Sequence, residues 1–189
     1  MKKYLLFSLL AAASCGSPTA ENSQTTDQTS TAAAAASPVI DEKNGFRELH
    51  FGQDLSTVED LVAMPGRDYV AIKDYQKKPD KEKLQVGNAQ IQDITYGFYK
   101  NKLVRVSLTA LGDNTDKLLN AAIGLYGEPM QDKQVPAPGR AYWWVGEKVI
   151  GSYQETGREG KRGYLVLSDK AAAAEAEKAP ANESGVADL

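Results

Sequence analysis

Among the single histidine and the acidic residues of this sequence, three are candidates for a general acid or base: His50, Asp93 and Glu155. His50 is the single histidine, so it would act alone as a base and cannot build a multi-histidine metal site. Asp93 and Glu155 lie in segments of alternating polar and apolar residues, where strand faces could hold carboxylates for a hydrolase. These residues define one hypothesis, a small hydrolase. The alternative interpretation of His50 is a strand-end residue without a chemical role.

No motif for a cofactor accompanies these candidates. The single cysteine leaves no thiol pair that could complete a metal site with His50. The glycine-rich segment 157–163, GREGKRG, could expose backbone N–H groups to an anion, but a predicted strand follows it rather than a helix. We therefore interpret it as a hairpin turn and expect neither a cofactor nor a metal.

The elements that would position such residues are organised around the segment from Ile91 to Leu111. Polar and apolar residues alternate on both sides of a polar turn at Lys100 and Asn101. Period-two alternation predicts strands, and a two-residue turn containing asparagine predicts a hairpin. The residues that we expect to face the core are Ile94, Tyr96, Phe98, Val104, Val106 and Leu108.

Two amphipathic segments predict helices. The first predicted helix begins at Ser56, which fits a capping box with Glu59 and precedes a short apolar stripe. Pro65 and Gly66 end this helix. The second helix follows Asp113 and ends at Gly127; its predicted buried side comprises Leu118, Leu119, Ala122, Ile123 and Tyr126.

Short strands are also predicted around these helices. They lie at residues 45–52, 68–75 and 83–86, and three more antiparallel strands follow Gly139. The predicted fold class is α+β: a single antiparallel β-sheet with two amphipathic helices on one face.

A weak internal match suggests a duplication of the helix-plus-strands unit. Tyr96 and Phe98 in the first hairpin align with Tyr142 and Trp144 in the second. Convergent hairpin chemistry is the alternative explanation of the same match.

The N-terminus predicts export. Residues 1–14 combine two lysines with an apolar run that is too short to span a bilayer, as in a secretory signal peptide. The segment Leu10–Cys15 resembles a bacterial lipobox, which implies that Cys15 is lipidated and anchors the protein in the cell envelope. Simple secretion with a free thiol is the alternative. Gly16 and Ser17 follow the cysteine, so the chain lacks the aspartate there that resembles an inner-membrane retention signal of some Gram-negative bacteria. We therefore favour the outer membrane if the organism is Gram-negative.

Composition divides the rest of the chain. Residues 15–43 are rich in Ser, Thr, Gln and Ala, and we expect a disordered tether after the lipidated cysteine. Residues 44–170 form one α+β domain, and 171–189 form a disordered, low-complexity tail in which Lys170–Lys178 could prolong a short helix. Basic and acidic residues nearly balance within the domain, which argues against nucleic acid as a partner.

The segments FGQDLSTVEDL and ITYGFYKNKLVRVSL carry a family resemblance. They resemble a family of uncharacterised exported bacterial proteins and lipoproteins that share a Phe-Gly-x(5)-Val helix entry and a Tyr-x-Phe-x(3)-Lys-Leu hairpin. The resemblance covers about residues 45–168 and implies fold and location, but no activity. The helix entry is also similar, more remotely, to small envelope-lipoprotein and β-lactamase-inhibitor-like modules, which bind other proteins.

The leading functional hypothesis is a non-enzymatic, lipid-anchored envelope module that binds another envelope component through its sheet. The expected partners are the membrane, through the lipid, and another envelope protein; the sequence leaves the oligomeric state open. Neighbouring strand residues point to opposite faces, so we place Trp144 in the core and Trp143 on the second face. The expected companions of Trp143 on that binding face are Tyr99, Arg105 and Tyr153.

Overall fold

The computed structural model describes residues 38–65, 71–135, 137, 139–157 and 161–179. Within them lie three helices: α1 (Pro38–Lys43), α2 (Asn114–Tyr126) and α3 (Lys170–Lys178). The strands are β1 (Gly45–Phe46), β2 (Leu49–His50), β3 (Leu61–Ala63), β4 (Lys73–Lys77), β5 (Gln85–Val86), β6 (Ala89–Gln90), β7 (Asp93–Tyr99), β8 (Lys102–Leu111), β9 (Met130–Gln131), β10 (Arg140–Val145), β11 (Val149–Thr156) and β12 (Arg162–Asp169). None of the described helices is long and apolar enough to cross a membrane.

Eight of these strands form one antiparallel sheet. Their order is β3-β4-β7-β8-β12-β11-β10-β9, and two small hairpins, β1-β2 and β5-β6, lie outside it. The coarse prediction of an α+β fold with one main antiparallel sheet is therefore confirmed. The proposed duplication stays a prediction.

The central hairpin forms as predicted. β7 and β8 are joined at Lys100 and Asn101, whose φ angles of 48° and 60° are the left-handed pair that a type I′ turn requires. One residue pattern differs from the expectation. A bulge next to Gly97 and Phe98 shifts the register, so Leu103 packs in the main core and Val104 on the opposite face. An extra residue in one strand reverses the alternation beyond it, which is why Val104 left the predicted face.

The main core lies between one face of the sheet and α2. Leu118, Leu119, Ala122 and Tyr126 of α2 are buried there, as predicted, together with Trp144. The indole N–H of Trp144 donates to the carbonyl of Gly127, which follows α2, at 2.7 Å. Burying this large aromatic residue with its polar atom paired ties the end of α2 to the sheet.

The predicted first helix is wrong. Asp54, not Ser56, provides the cap: its carboxylate accepts from the Ser56 N–H at 3.0 Å and begins a single 3₁₀ turn, Leu55–Thr57. Asp60 then has a φ of 62°, and the chain continues as the edge strand β3. So short a segment before Pro65 would form few helical hydrogen bonds, whereas pairing with β4 satisfies its backbone. The predicted pair of helices on one face is thus not confirmed.

The predicted N-terminal strands are shorter than expected. Residues 45–52 form the tight hairpin β1-β2 rather than one strand, and β5 covers only the end of 83–86. Of the predicted strand 68–75, the observed β4 begins at Lys73, while residues 66–70 lie outside the described part.

Both expected tails contribute structure to the domain. α1 inserts Ile40, which is 1% exposed, into the main core, although residues 15–43 were expected to be a tether. α3 covers Lys170–Lys178, the part of the expected tail in which the sequence allowed a short helix, and buries Ala176. Single apolar residues flanked by low-complexity sequence carry little periodic signal, so only packing shows that Ile40 and Ala176 anchor these helices.

Candidate functional site

The sheet presents two faces of different character. Facing residues in adjacent strands share a face, so the registers assign every strand residue to one side or the other. One side is the main core beneath α2. The opposite side is the second face on which the sequence predicted a binding surface.

One end of the second face is covered by α3. Ala176 packs there in a small cluster with Ala71, Ile72, Tyr99 and Val104. The Tyr99 hydroxyl donates to the Glu175 carboxylate at 3.3 Å, and Tyr99 is only 4% exposed. Tyr99 therefore lies on the predicted face but is buried under a helix, so it cannot form part of a free binding surface in this arrangement.

Arg105 also lies on the second face and has a structural partner. Its guanidinium donates to the Asp74 carboxylate at 2.9 Å. Gly97 stands between them in the sheet, where a Cβ would meet Ile72 at 2.8 Å and Asp74 at 3.2 Å. The absence of a side chain at Gly97 thus lets the buried carboxylate reach the guanidinium across the intervening strand.

Tyr153 was assigned to the wrong face. It pairs directly with Tyr142 across β10 and β11, is fully buried, and packs in the main core. Val145 faces Ile150 at the turn, so residues with even numbers in β10 share a face with residues with odd numbers in β11. The length of the turn between β10 and β11 therefore determines which residues of the two strands share a face, and the alternation within each strand does not.

No described helix covers the remaining part of the second face, although Thr95 and Ala141 on it are buried and the Thr95 hydroxyl donates to the Met64 sulfur at 3.8 Å. Trp143 lies in a continuous cross-strand row with Thr95, Ser107, Val166, Ser152 and Met130. Beside it runs a second row of Asp93, Thr109, Tyr164, Gln154 and Ala141. We call these two rows the open face. Trp143, Tyr164 and Val166 are half-buried and pack in neither hydrophobic cluster.

The open face carries uncharged polar groups next to aromatic rings. Within the described residues, the Trp143 indole N–H and the hydroxyls of Ser107 and Ser152 have no hydrogen-bond partner. The first row crosses six strands, from β7 through β8, β12, β11 and β10 to β9, which is roughly 24 Å at the usual strand spacing. Sequence reasoning found Trp143 but missed the hydroxyl residues, because polar positions of a strand usually indicate no more than solvent exposure.

The three candidate residues of the alternative hydrolase hypothesis do not lie together. His50 is an exposed residue of the β1-β2 hairpin, and its backbone N–H donates to Gln53. Asp93 lies on the second face, where it accepts a hydrogen bond from Thr109 at 3.2 Å. Glu155 lies on the core side of β11, so the sheet separates the two carboxylates.

Glu155 is the buried acceptor of a charge network whose other members are partly exposed. Arg140 donates to both of its carboxylate oxygens and also binds Asp116, which in turn accepts from Lys161 at 2.7 Å. The Tyr153 hydroxyl lies 3.1 Å from Glu155. Burial by itself raises the pKa of Glu155, but the Arg140 guanidinium outweighs that effect, and the pKa lies below its ordinary value. The network keeps Glu155 ionised, and both of its carboxylate oxygens accept hydrogen bonds within it.

The other sequence candidates give no further site. No group of three or more potential metal ligands occurs among the described residues. In the glycine-rich segment, Lys161 pairs with Asp116, while residues 158–160 lie outside the described part, as does Cys15. Comparisons of the chain with protein-family models, with curated proteins and with solved structures found no match.

Proposed function

We propose that this protein is a non-enzymatic interaction module of the bacterial cell envelope. It is exported, anchored through a lipid on Cys15, and binds a protein partner with the open face of its sheet. The observation that carries the proposal is Trp143, an aromatic residue with an unpaired indole N–H that lies in neither core.

The composition of the open face supports a protein partner. Centres of protein interfaces are depleted in charged residues and enriched in aromatic ones, and the two rows contain a single charged side chain, Asp93, at the β7 end of the second row. Tyrosine and tryptophan supply rigid contact area, while small hydroxyl residues supply adaptable hydrogen bonds. A solvent-exposed sheet face without such a role would carry more lysine and glutamate.

The arrangement of the titratable groups favours binding over hydrolysis. A catalytic pair needs two groups that reach the same substrate atom. Asp93 and Glu155 lie on opposite faces of the sheet, and the Glu155 oxygens are occupied by Arg140 and Tyr153. No observation on the described residues brings either of them to His50.

The proposal is tested by placing a photo-crosslinking amino acid at position 152 or 154 in cells, which leaves Trp143 in place. We expect one discrete crosslinked protein from both positions, and none from position 125, which is exposed, as is position 154, but lies on the α2 side of the sheet. A product of twice the chain's mass would identify a second copy as the occupant and replace the proposed partner. Equal products from all three positions, or none from 152 and 154, would overturn the proposal.

Two tryptophan variants separate binding from stability. Trp143→Ala should abolish crosslinking from position 152 while costing little stability, because Trp143 packs in neither core. Trp144 is 1% exposed and its indole N–H is hydrogen-bonded, so Trp144→Ala should lower the free energy of unfolding by about 3–5 kcal/mol. Thermal melts measure both. Equal large losses would show that Trp143 is a core residue.

A further inference from the structure

A cavity of about 280 Å³ lies on the α2 side of the sheet, away from the open face. It opens where α1, α2 and the two small hairpins β1-β2 and β5-β6 meet. Its walls include Phe46, Val86, Leu125 and Tyr126, and its charged lining residues are Lys43 and Arg47. A cavity of about 150 Å³ already accommodates benzene, so this one has room for two fused rings or a short branched chain.

The walls are held in a fixed shape by the chain around them. Asn44 and Arg47 have φ angles of 43° and 55°, which non-glycine residues rarely adopt. Arg47 donates to the backbone carbonyls of Lys83 and Gln85, at 2.6 Å and 2.8 Å, which ties the two hairpins together. Such backbone strain persists only where surrounding contacts enforce it, so the cavity is preorganised.

Of the two positively charged residues that line the cavity, one has an acidic partner and the other has none among the described residues. The Arg47 guanidinium is paired with the Glu82 carboxylate, whose other oxygen accepts from the buried Tyr96 hydroxyl at 2.7 Å. Burial and this contact raise the pKa of Tyr96, so the hydroxyl stays a neutral donor to Glu82. Lys43, in contrast, has no ion pair or hydrogen bond with any described residue.

We propose that this cavity binds a small, largely apolar molecule that carries a single carboxylate. The apolar body occupies the space between Val86, Leu125 and Tyr126, and Lys43 is the counter-ion at the rim. Pockets for small molecules combine an apolar lining with a few polar groups that set orientation, which is the arrangement here. The site is independent of the open face and of any partner bound there.

The test uses 2-naphthoate and its neutral isostere 2-naphthamide as probes of the full-length chain. We expect 2-naphthoate to bind and to shift the NMR signals of Val86 and Leu125. Lys43→Met should weaken 2-naphthoate binding by about two- to fivefold, the range of a partly exposed charge pair, and leave 2-naphthamide unaffected. The matched control is Lys178→Met, an exposed lysine of α3 on the other side of the sheet, which should change neither.

A second variant tests the location. Leu125 is 38% exposed at the cavity, so Leu125→Trp adds bulk there with little risk to folding, which a thermal melt checks. It should weaken binding of both probes at least tenfold. The proposal is overturned if neither probe binds at millimolar concentration, if the two lysine variants behave alike, or if Leu125→Trp binds like the wild type.

Discussion

At the scale of single residues, Asp41 links the N-terminal helix to the sheet. Its carboxylate accepts hydrogen bonds from the backbone N–H groups of Glu147, Lys148 and Val149, the last two at 3.0 Å and 2.8 Å. Residue 146 has to be glycine, because a Cβ there would lie 2.2 Å from the carboxylate. Burial raises the pKa of Asp41, but the three backbone donors together outweigh it and lower the pKa below its ordinary value of 3.8.

We expect Asp41→Asn to lower the free energy of unfolding by about 1–2 kcal/mol at pH 7. Because the pKa of Asp41 is lower in the folded state, the stability it contributes is present above pH 3.8 and lost as the pH falls through the folded pKa. Urea unfolding at pH 7 and pH 3 should therefore show a smaller difference between the two proteins at pH 3.

The matched control for Asp41 lies on the same helix. Glu42 is exposed and makes no side-chain hydrogen bond or ion pair with a described residue, so Glu42→Gln should leave the stability unchanged at both pH values. An equal effect of the two variants, or an Asp41→Asn effect that does not depend on pH, would refute the assigned role.

At the scale of elements, α3 decides how much of the second face is open. Asp169 caps this helix by accepting from the Ala172 N–H at 2.8 Å, and Ala176 is buried against Tyr99 and Val104. Lys100 adds an exposed ion pair with Glu175, which contributes little by itself. The helix is therefore held mainly by the small alanine contact.

We expect Ala176→Glu to release α3, because the contact leaves no room or partner for a carboxylate. Unfolding free energy should fall by about 1–3 kcal/mol, and hydrogen exchange should speed up near Tyr99. Ala174→Glu, on the exposed side of the same helix, is the control and should match the wild type. Unchanged exchange at Tyr99 in Ala176→Glu would show that the helix does not protect this end of the face.

At the scale of the whole molecule, the two halves of the chain share one sheet. β8 and β12 pair at its centre, so the strands before α2 and those after it form a continuous surface. α1 then marks the N-terminal limit of the described domain at Pro38.

The proposed anchor predicts the behaviour of Cys15→Ser. This variant should incorporate no fatty-acid label and should leave the membrane fraction, because the acyl chains supply the membrane affinity. Its thermal melt should equal that of the wild type, since Cys15 precedes α1 and the packed residues that begin at Ile40. Ser17→Ala is a matched control that keeps the cysteine and should remain labelled. A Cys15→Ser protein that is labelled and fractionates with membranes would contradict the anchor.

Local patterns in the sequence were sufficient for several elements. The hairpin β7-β8, the helix α2 with its buried side and the three C-terminal strands follow from alternation, helical periodicity and turn residues that act over a few positions. The placement of Trp144 in the core and of Trp143 on the second face also follows from alternation within one strand.

Other features depended on contacts between distant residues. Strand pairing with β4 turned the expected helix after Ser56 into β3, and turn length placed Tyr153 in the core. α3 covers Tyr99, and Arg140 binds the Glu155 carboxylate on the core side of the sheet. Asp93 lies on the opposite face of the sheet, beside Thr109. Periodicity reports which side of an element is apolar, but only the tertiary structure decides which side meets which neighbour, because register and packing are set by residues far apart in the chain.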